Sequence, residues 1–371
     1  MLAITTPLLP DESIDSWIEL LASLNSCAPR DIATQSTLLN GRAKASPLTA
    51  SLLPETARRL EAHTGVASQL ILNASLQRYR EHGLVPVVGN RAGEGTWARY
   101  GGTKFCPSCL TERDMRWKFD WHLAWVNVCL THQCLLVHRC PTCETPPRKS
   151  AYPHPPFVQD ILGNRRGKLC PDACCTQLLA QCEAVQLPSS SALLVAASAL
   201  QKVLDHGHAQ LSYSAEVPIT ARHFFADLTI LTRHALHAVT SGEASFEELE
   251  LAGPAAPQLQ HGDQNPYQTT GAIKISSQPP PAVMQLATTM ALLILDDPRT
   301  KKASPYPIRD HWLSEDRIKV ILFGTPFGKR GSDDRVAVGR VSDSGVHPSD
   351  RWAAMALPWR GVVSCSGRRG R

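Results

Sequence analysis

A chain of 371 residues with 43% hydrophobic positions is too long for one ordinary domain and can bury real cores, although 28 prolines and 23 glycines break it often. No stretch approaches the roughly 18 consecutive apolar residues of a membrane span, the best being AVMQLATTMALLIL at 282–295. The formal charge of +5 is too mild to mark the whole chain as a polyanion binder.

In chain order, the opening MLAITTPLLPDESIDSW shows neither a basic leader nor an apolar run ending in a cleavage site, so a reducing, cytoplasmic setting is expected. DESIDSWIELLASLN has Asp11 or Ser13 as a cap and apolar residues at 14, 17, 18, 21 and 24, which predicts an amphipathic helix. PRDIATQSTLLN adds a short helix. PETARRLEAHTGVASQLILNASLQRY reads as a helix, a turn at His63 to Gly65 and a second helix with apolar positions at 66, 70, 71, 74 and 76, the outline of a helix-turn-helix. Two packed helices also build any small core. His63 and His82 read as surface histidines, and VVGNRAGEGTWARYGG as a glycine-rich loop.

The cysteines concentrate in FCPSCLTERDMRWKFDWHLAWVNVCLTHQCLLVHRCPTC, residues 105 to 143. Cys106 and Cys109 form a CxxC pair, and Cys129 and His132 form a CxxH pair after nineteen intervening residues. Soft donors two residues apart let one tight turn present two ligands to one tetrahedral zinc ion. A second pair, Cys140 and Cys143, needs two further ligands from KLCPDACCTQLLAQC; Cys170 and Cys174 are the choice, with Cys175 as substitute for the latter. The expectation is two zinc ions. Cys27, Cys134, Cys182 and Cys365 read as small hydrophobes or idle thiols, Cys182 on a helix. His122 and His138 belong to no two-residue-spaced pair and are left out. Trp117, Phe119, Trp121, Leu123 and Trp125 alternate as on a strand, yet the tryptophans also lie four apart as on a helix; packing over a metal-nucleated core is preferred to base stacking. LLVHRC reads as a short strand.

Between Arg139 and Lys168 there are six basic residues against two acidic ones. Arg139, Arg148, Lys149, Arg165, Arg166 and Lys168 are therefore the candidate nucleic-acid contacts, although such a run also describes a solvated loop. SSSALLVAASALQKVLDHG predicts a capped helix ending at Gly207, and ITARHFFADLTILTRHALHAV another with Phe224, Leu228, Leu231 and Ala235 as its stripe. Further helices are expected at 281–296 and 311–323.

The fold class that results is mainly α, with small zinc-ribbon or zinc-finger β elements and helix-turn-helix-like units flanking a zinc module. The expected parts are an N-terminal helical region (1–100), a zinc-binding module with two sites (101–185), a helical region (186–240), a linker (241–280), a C-terminal helical unit (281–325) and a disordered tail (326–371).

The order CPSC, tryptophan-rich stretch, WVNVCLTHQCLLVHRCPTC and later cysteine cluster, preceded by LLPDESIDSWIELLASLN, resembles the TniQ family, the TniQ/TnsD-like target-selection proteins of certain bacterial DNA transposons. The resemblance covers roughly the first half. It implies a non-catalytic, zinc-binding adaptor that marks an insertion site and connects it to an AAA+ ATPase and a transposase. Its target is DNA or a DNA-bound targeting complex, and its oligomeric state is open, a homodimer being one option. The late CPDACC departs from the tighter cysteine pair usual in the family, and the C-terminal half matches no motif. An alternative is a zinc-containing DNA-binding transcriptional regulator. A zinc enzyme ranks last, because both sites can be closed by four ligands and HExxH, the deaminase HxE and GxxxxGK[ST] are all missing.

Overall fold

The computed structural model describes residues 2–29, 31–33, 49, 52–84, 102–148, 178–211, 218–241, 244, 251–260 and 279–296. The first helix, α1 (Ile14–Leu24), starts at Ser13, whose hydroxyl accepts from the Ser16 amide at 3.2 Å. Its apolar face, Ile14, Trp17, Ile18 and Leu21, is fully buried against Leu52, Ala57, Leu60, Ile71 and Ala74. These come from α2 (Pro54–Thr64), α3 (Ser68–Asn73) and their flanks. Pro54 opens α2, where its missing N–H would have no partner anyway, and Gly65 closes it at φ 74°, a left-handed conformation that suits glycine. Of the predicted helix PRDIATQSTLLN, residues 34–40 lie outside the described part.

The second helix of this pair is shorter than its apolar spacing predicts. After Asn73 the Ser75 hydroxyl donates to the Leu72 carbonyl at 2.7 Å and accepts from the Gln77 amide at 3.3 Å. A serine side chain that bonds nearby backbone groups offers the chain an alternative to the helix ladder. Leu76–Tyr79 accordingly form a separate 3-10 turn. His82, expected at the surface, packs edge-on against Tyr79 with a centroid distance of 5.5 Å, and both its ring nitrogens are buried.

A polar seam joins α1 to the cysteine-rich module about a hundred residues downstream. Asp11 receives Arg113 at 2.6 Å and Lys118 at 3.3 Å, fully buried Glu12 pairs with Arg116, and Glu19 pairs with Arg148. Backbone bonds tighten it: Ser13 N–H to Trp117 O at 2.7 Å and Phe119 N–H to Asp11 O at 3.1 Å. Burial alone would raise the Asp11 pKa, but Arg113 and Lys118 outweigh it and hold the carboxyl below its ordinary value. Burial wins at Glu19, whose pKa is raised despite Arg148.

The aromatic run resolves into neither strand nor α-helix. It is broken by a 3-10 turn at Asp120–His122, and its residues divide between two cores. Trp117 and Trp121 join Phe105 around the cysteines, whereas Phe119, Leu123 and Trp125 join the large helical core. All five are at most 3% exposed, which identifies the run as packing.

The helical core is built from α5 (Ala192–His206), α6 (Ala221–Ser241) and α8 (Pro281–Leu295). Gly207 ends α5 at φ 74°, as its position predicts. Strands β3 (His208–Ala209) and β4 (Ile219–Thr220) pair antiparallel between α5 and α6. The Trp125 ring stacks on Phe225 of α6 at 4.4 Å, which ties the cysteine-rich module to this core. Helix α8 is buried on nearly every side, with Gln285 Nε2 donating to Leu193 O at 3.1 Å. It is a helix inside a protein core, and among the described residues no helix is long and apolar enough to cross a membrane.

Part of the expected linker belongs to this core. Gly253–Ala255 form a 3-10 turn leading into the short α7 (Pro257–Gln260), with Ala252 and Ala255 fully buried. The predicted helix at 311–323 and the expected tail at 326–371 lie outside the described residues.

Candidate metal centre

Two local structures bring the donors together. The short helix α4 (Pro107–Glu112) follows Cys106, so the CPSC spacing puts Cys106 at the helix entry and Cys109 in its first turn. Opposite it, β1 (Val128–Cys129) and β2 (Cys134–Leu135) form a hairpin in which Cys129 faces Cys134. Gln133 at φ 47° turns the tight loop and carries His132 back over Cys129.

Lys104 sets where this hairpin begins. Its ammonium is fully buried and donates to Leu123 O at 2.7 Å, Ala124 O at 3.2 Å and Asn127 Oδ1 at 2.9 Å. Asn127 in turn donates its side-chain amide to Ala124 O at 2.9 Å, and its carbonyl accepts from Leu136 N–H at 2.8 Å. The two residues after Lys104 begin the first ligand pair, and the two after Asn127 reach Cys129. One buried cation therefore holds both ligand-bearing segments.

The result is a cluster of Cys106, Cys109, Cys129 and His132 whose ligand atoms all lie within 4.8 Å of one another. His132 Nδ1 is 3.4 Å from Cys106 Sγ, 3.3 Å from Cys109 Sγ and 3.5 Å from Cys129 Sγ, and the Cys109 and Cys129 sulfurs are 3.6 Å apart. Tetrahedral zinc with ordinary bond lengths needs S···S edges of about 3.8 Å and S···N edges of about 3.6 Å. Both the donor chemistry and the spacing fit that ion.

The acid–base balance points the same way. Sharing protons with Cys109 lowers Cys106 to about 7, and proximity to Cys106 above all drives Cys129 down, while Cys106 drives Cys109 and Cys134 up. Sulfurs this close cannot all be anionic without a cation among them. Burial would lower the His132 pKa, but Glu112 and the neighbouring Cys129 and Cys106 outweigh it and push it up to about 9. At that value both ring nitrogens carry protons at neutral pH, and an ion bound among the sulfurs would displace the Nδ1 proton while Glu112 Oε1, 2.8 Å from Nε2, holds the other. Glu112→Gln is expected to weaken metal affinity about tenfold without unfolding the chain, as carboxylate partners of metal-bound histidines generally do. Competition with a chelator of known affinity checks this, and an unchanged constant would make Glu112 a bystander.

The second predicted group is placed only in part. Cys140 is buried and Cys143 half-buried on one turn, where Glu144 N–H donates to Cys140 O at 2.8 Å and Cys140 N–H to Thr145 O at 3.0 Å. Cys170, Cys174 and Cys175 lie outside the described residues, as do Lys149, Arg165, Arg166 and Lys168. Of the predicted basic contacts, Arg139 is exposed and donates to Glu144 O at 2.9 Å. Arg148 is instead spent inside the seam: its side chain is 12% exposed, paired with Glu19 and laid over the Trp117 ring at 4.9 Å.

Three residues of the centre escape spacing rules. Lys104 reads as one more surface lysine, and Glu112 carries only the weak signal of standing three residues after Cys109. Cys134, read as a small hydrophobe, is 1% exposed with its sulfur 3.7 Å from Cys106 Sγ. Cys182 is not within a helix but follows the 3-10 turn Leu179–Gln181, buried in the same cysteine-rich core.

A family model described as TniQ matches residues 3–136, from the segment before α1 through the hairpin that carries Cys129, His132 and Cys134. No curated protein matches the chain. The match takes in the whole α1 seam and all four clustered donors and stops before Cys140. Over residues 3–136, the part that holds the clustered donors, the chain is similar to the TniQ family.

Proposed function

We propose that the chain is a non-catalytic, zinc-binding adaptor of DNA transposition, selecting or marking the target and linking it to an AAA+ ATPase and a transposase. The observation that carries this reading is the closed donor set: Cys106, Cys109, Cys129 and His132 supply four ligand atoms inside the TniQ match. A catalytic zinc keeps an open position for water or substrate, whereas four protein donors saturate a tetrahedral ion and give it a structural role.

The rest of the proposal extends the reading of the sequence. A second zinc sits at Cys140, Cys143, Cys170 and Cys174, with Cys175 as substitute, so the chain carries two ions. The α2–Gly65–α3 pair acts as a helix-turn-helix, with the exposed side chains of Gln69 and Leu70 on its second helix available for contact. Arg139, Lys149, Arg165, Arg166 and Lys168 add phosphate contacts. The same helix pair also suits a zinc-containing transcriptional regulator. Reconstitution with the transposition ATPase and transposase, followed by mapping of insertions, separates the two. The adaptor reading expects insertions to lose their preferred site or fall sharply in number when the chain is omitted. Identical sites and frequencies without it, or DNA cleavage by the chain alone, would sink that reading.

A further inference from the structure

The centre holds one sulfur more than a tetrahedral ion requires. In the hairpin register Cys129 stands directly opposite Cys134, which puts both on the same face of a two-stranded ribbon. Cys134 is almost wholly buried, and its sulfur lies 3.7 Å from Cys106 Sγ, the S···S edge of about 3.8 Å that a zinc thiolate tetrahedron has. That spacing is also an ordinary contact between two sulfurs, and the four donors that all lie within 4.8 Å of one another do not include Cys134; what singles it out is the distance together with the hairpin register, which set Cys134 beside both Cys106 and Cys129.

We propose that Cys134 is a fifth, interchangeable metal ligand, so that the centre holds its ion through either His132 or Cys134. The inference rests on the zinc reading of the Cys106 cluster and goes beyond its four donors. His132 is the partner to be exchanged because it is the one nitrogen donor and the most exposed of the four, with 17% of its side chain accessible. On exchange the Cys134 S–H proton leaves to water, a sulfur–metal bond forms and the Nδ1–metal bond breaks. No electron transfer is involved. A donor set that can pass from three sulfurs and one nitrogen to four sulfurs suits thiophilic ions, zinc in the first place and the softer cadmium still more.

The test uses the full-length chain and its His132→Ala, Cys134→Ser and double variants, with metal content measured and cobalt(II) substituted as a spectroscopic probe. His132→Ala should keep its ion and show stronger thiolate-to-cobalt absorption, the mark of an added sulfur ligand. Adding Cys134→Ser should then lower affinity on the order of a hundredfold or more, since only three donors remain. Equal loss of metal from His132→Ala and from the double variant overturns the proposal. Should His132→Ala fail to fold, cadmium titration of the wild type and of Cys134→Ser decides. Cadmium favours sulfur, so the wild type should show one thiolate's worth more ligand-to-metal absorption than Cys134→Ser, and equal absorption overturns the proposal. A wild-type chain that binds no ion at this cluster would overturn the zinc reading as well, which sets that failure apart from the failure of Cys134 alone.

Discussion

Replacing both thiols of the first pair, Cys106→Ser with Cys109→Ser, is expected to strip the ion from the centre and unfold the cysteine-rich module. Even with Cys134 recruited, only Cys129, His132 and Cys134 would remain. Metal binding is coupled to folding, with roughly 10 to 16 kcal/mol at stake in zinc-finger peptides. Little else holds this part together: α4 has six residues, and β1 and β2 have two each. Elements so short are not stable alone. Trp117 packs on Phe105 at 5.6 Å and on Trp121 at 5.7 Å between ring centroids in the core that holds the cysteines, so loss of the ion should release them. Tryptophan fluorescence should shift to the red and the near-ultraviolet circular dichroism should collapse, while α5, α6 and α8 keep much of the far-ultraviolet signal. A double variant with wild-type metal content and unshifted tryptophans would refute the assignment of this ligand pair.

Lys104→Met is expected to cost about 3 to 5 kcal/mol, because Leu123 O and Asn127 Oδ1 would stay buried without the ammonium, while Ala124 O would keep the Asn127 amide as its donor. The methionine fills similar volume, so the loss is electrostatic rather than a cavity. Leu123 O and Ala124 O lie on the turn before β1, and Asn127 immediately precedes it. Relaxation of this turn therefore moves Cys129, and metal affinity should fall together with stability. Urea unfolding followed by tryptophan fluorescence, with a chelator competition alongside, reads both quantities. An unfolding midpoint equal to that of the parent would show that the buried ammonium contributes nothing.

How much was legible in advance depended on how far apart in the chain the causes lie. The donors Cys106, Cys109, Cys129 and His132 could be read from the residues alone, because each pair sits within one turn of backbone and covalent geometry fixes what that turn presents. Helices α1, α5, α6 and α8 were legible for a related reason: apolar spacing, Ser13 at the start of α1 and Gly207 after α5 act within a few residues. The linker at 241–280 was misjudged at its centre, because alanines among prolines carry no periodic signal, yet Ala252 and Ala255 are small enough to be buried where turns meet helices.

Tertiary structure alone decided the rest. Nothing in the order Trp117, Phe119, Trp121, Leu123, Trp125 says that the first and third serve one core and the others a second, since that depends on two bodies packing against one segment. Arg113, Arg116 and Arg148 look like a solvated basic face until α1, about a hundred residues away, sets Asp11, Glu12 and Glu19 against them. Glu112 and Cys134 come beside the four clustered donors only when α4 and the hairpin close on each other. Spacing records which donors one turn can present, while the charges and sulfurs that complete the centre come from separate segments, and only packing brings those together.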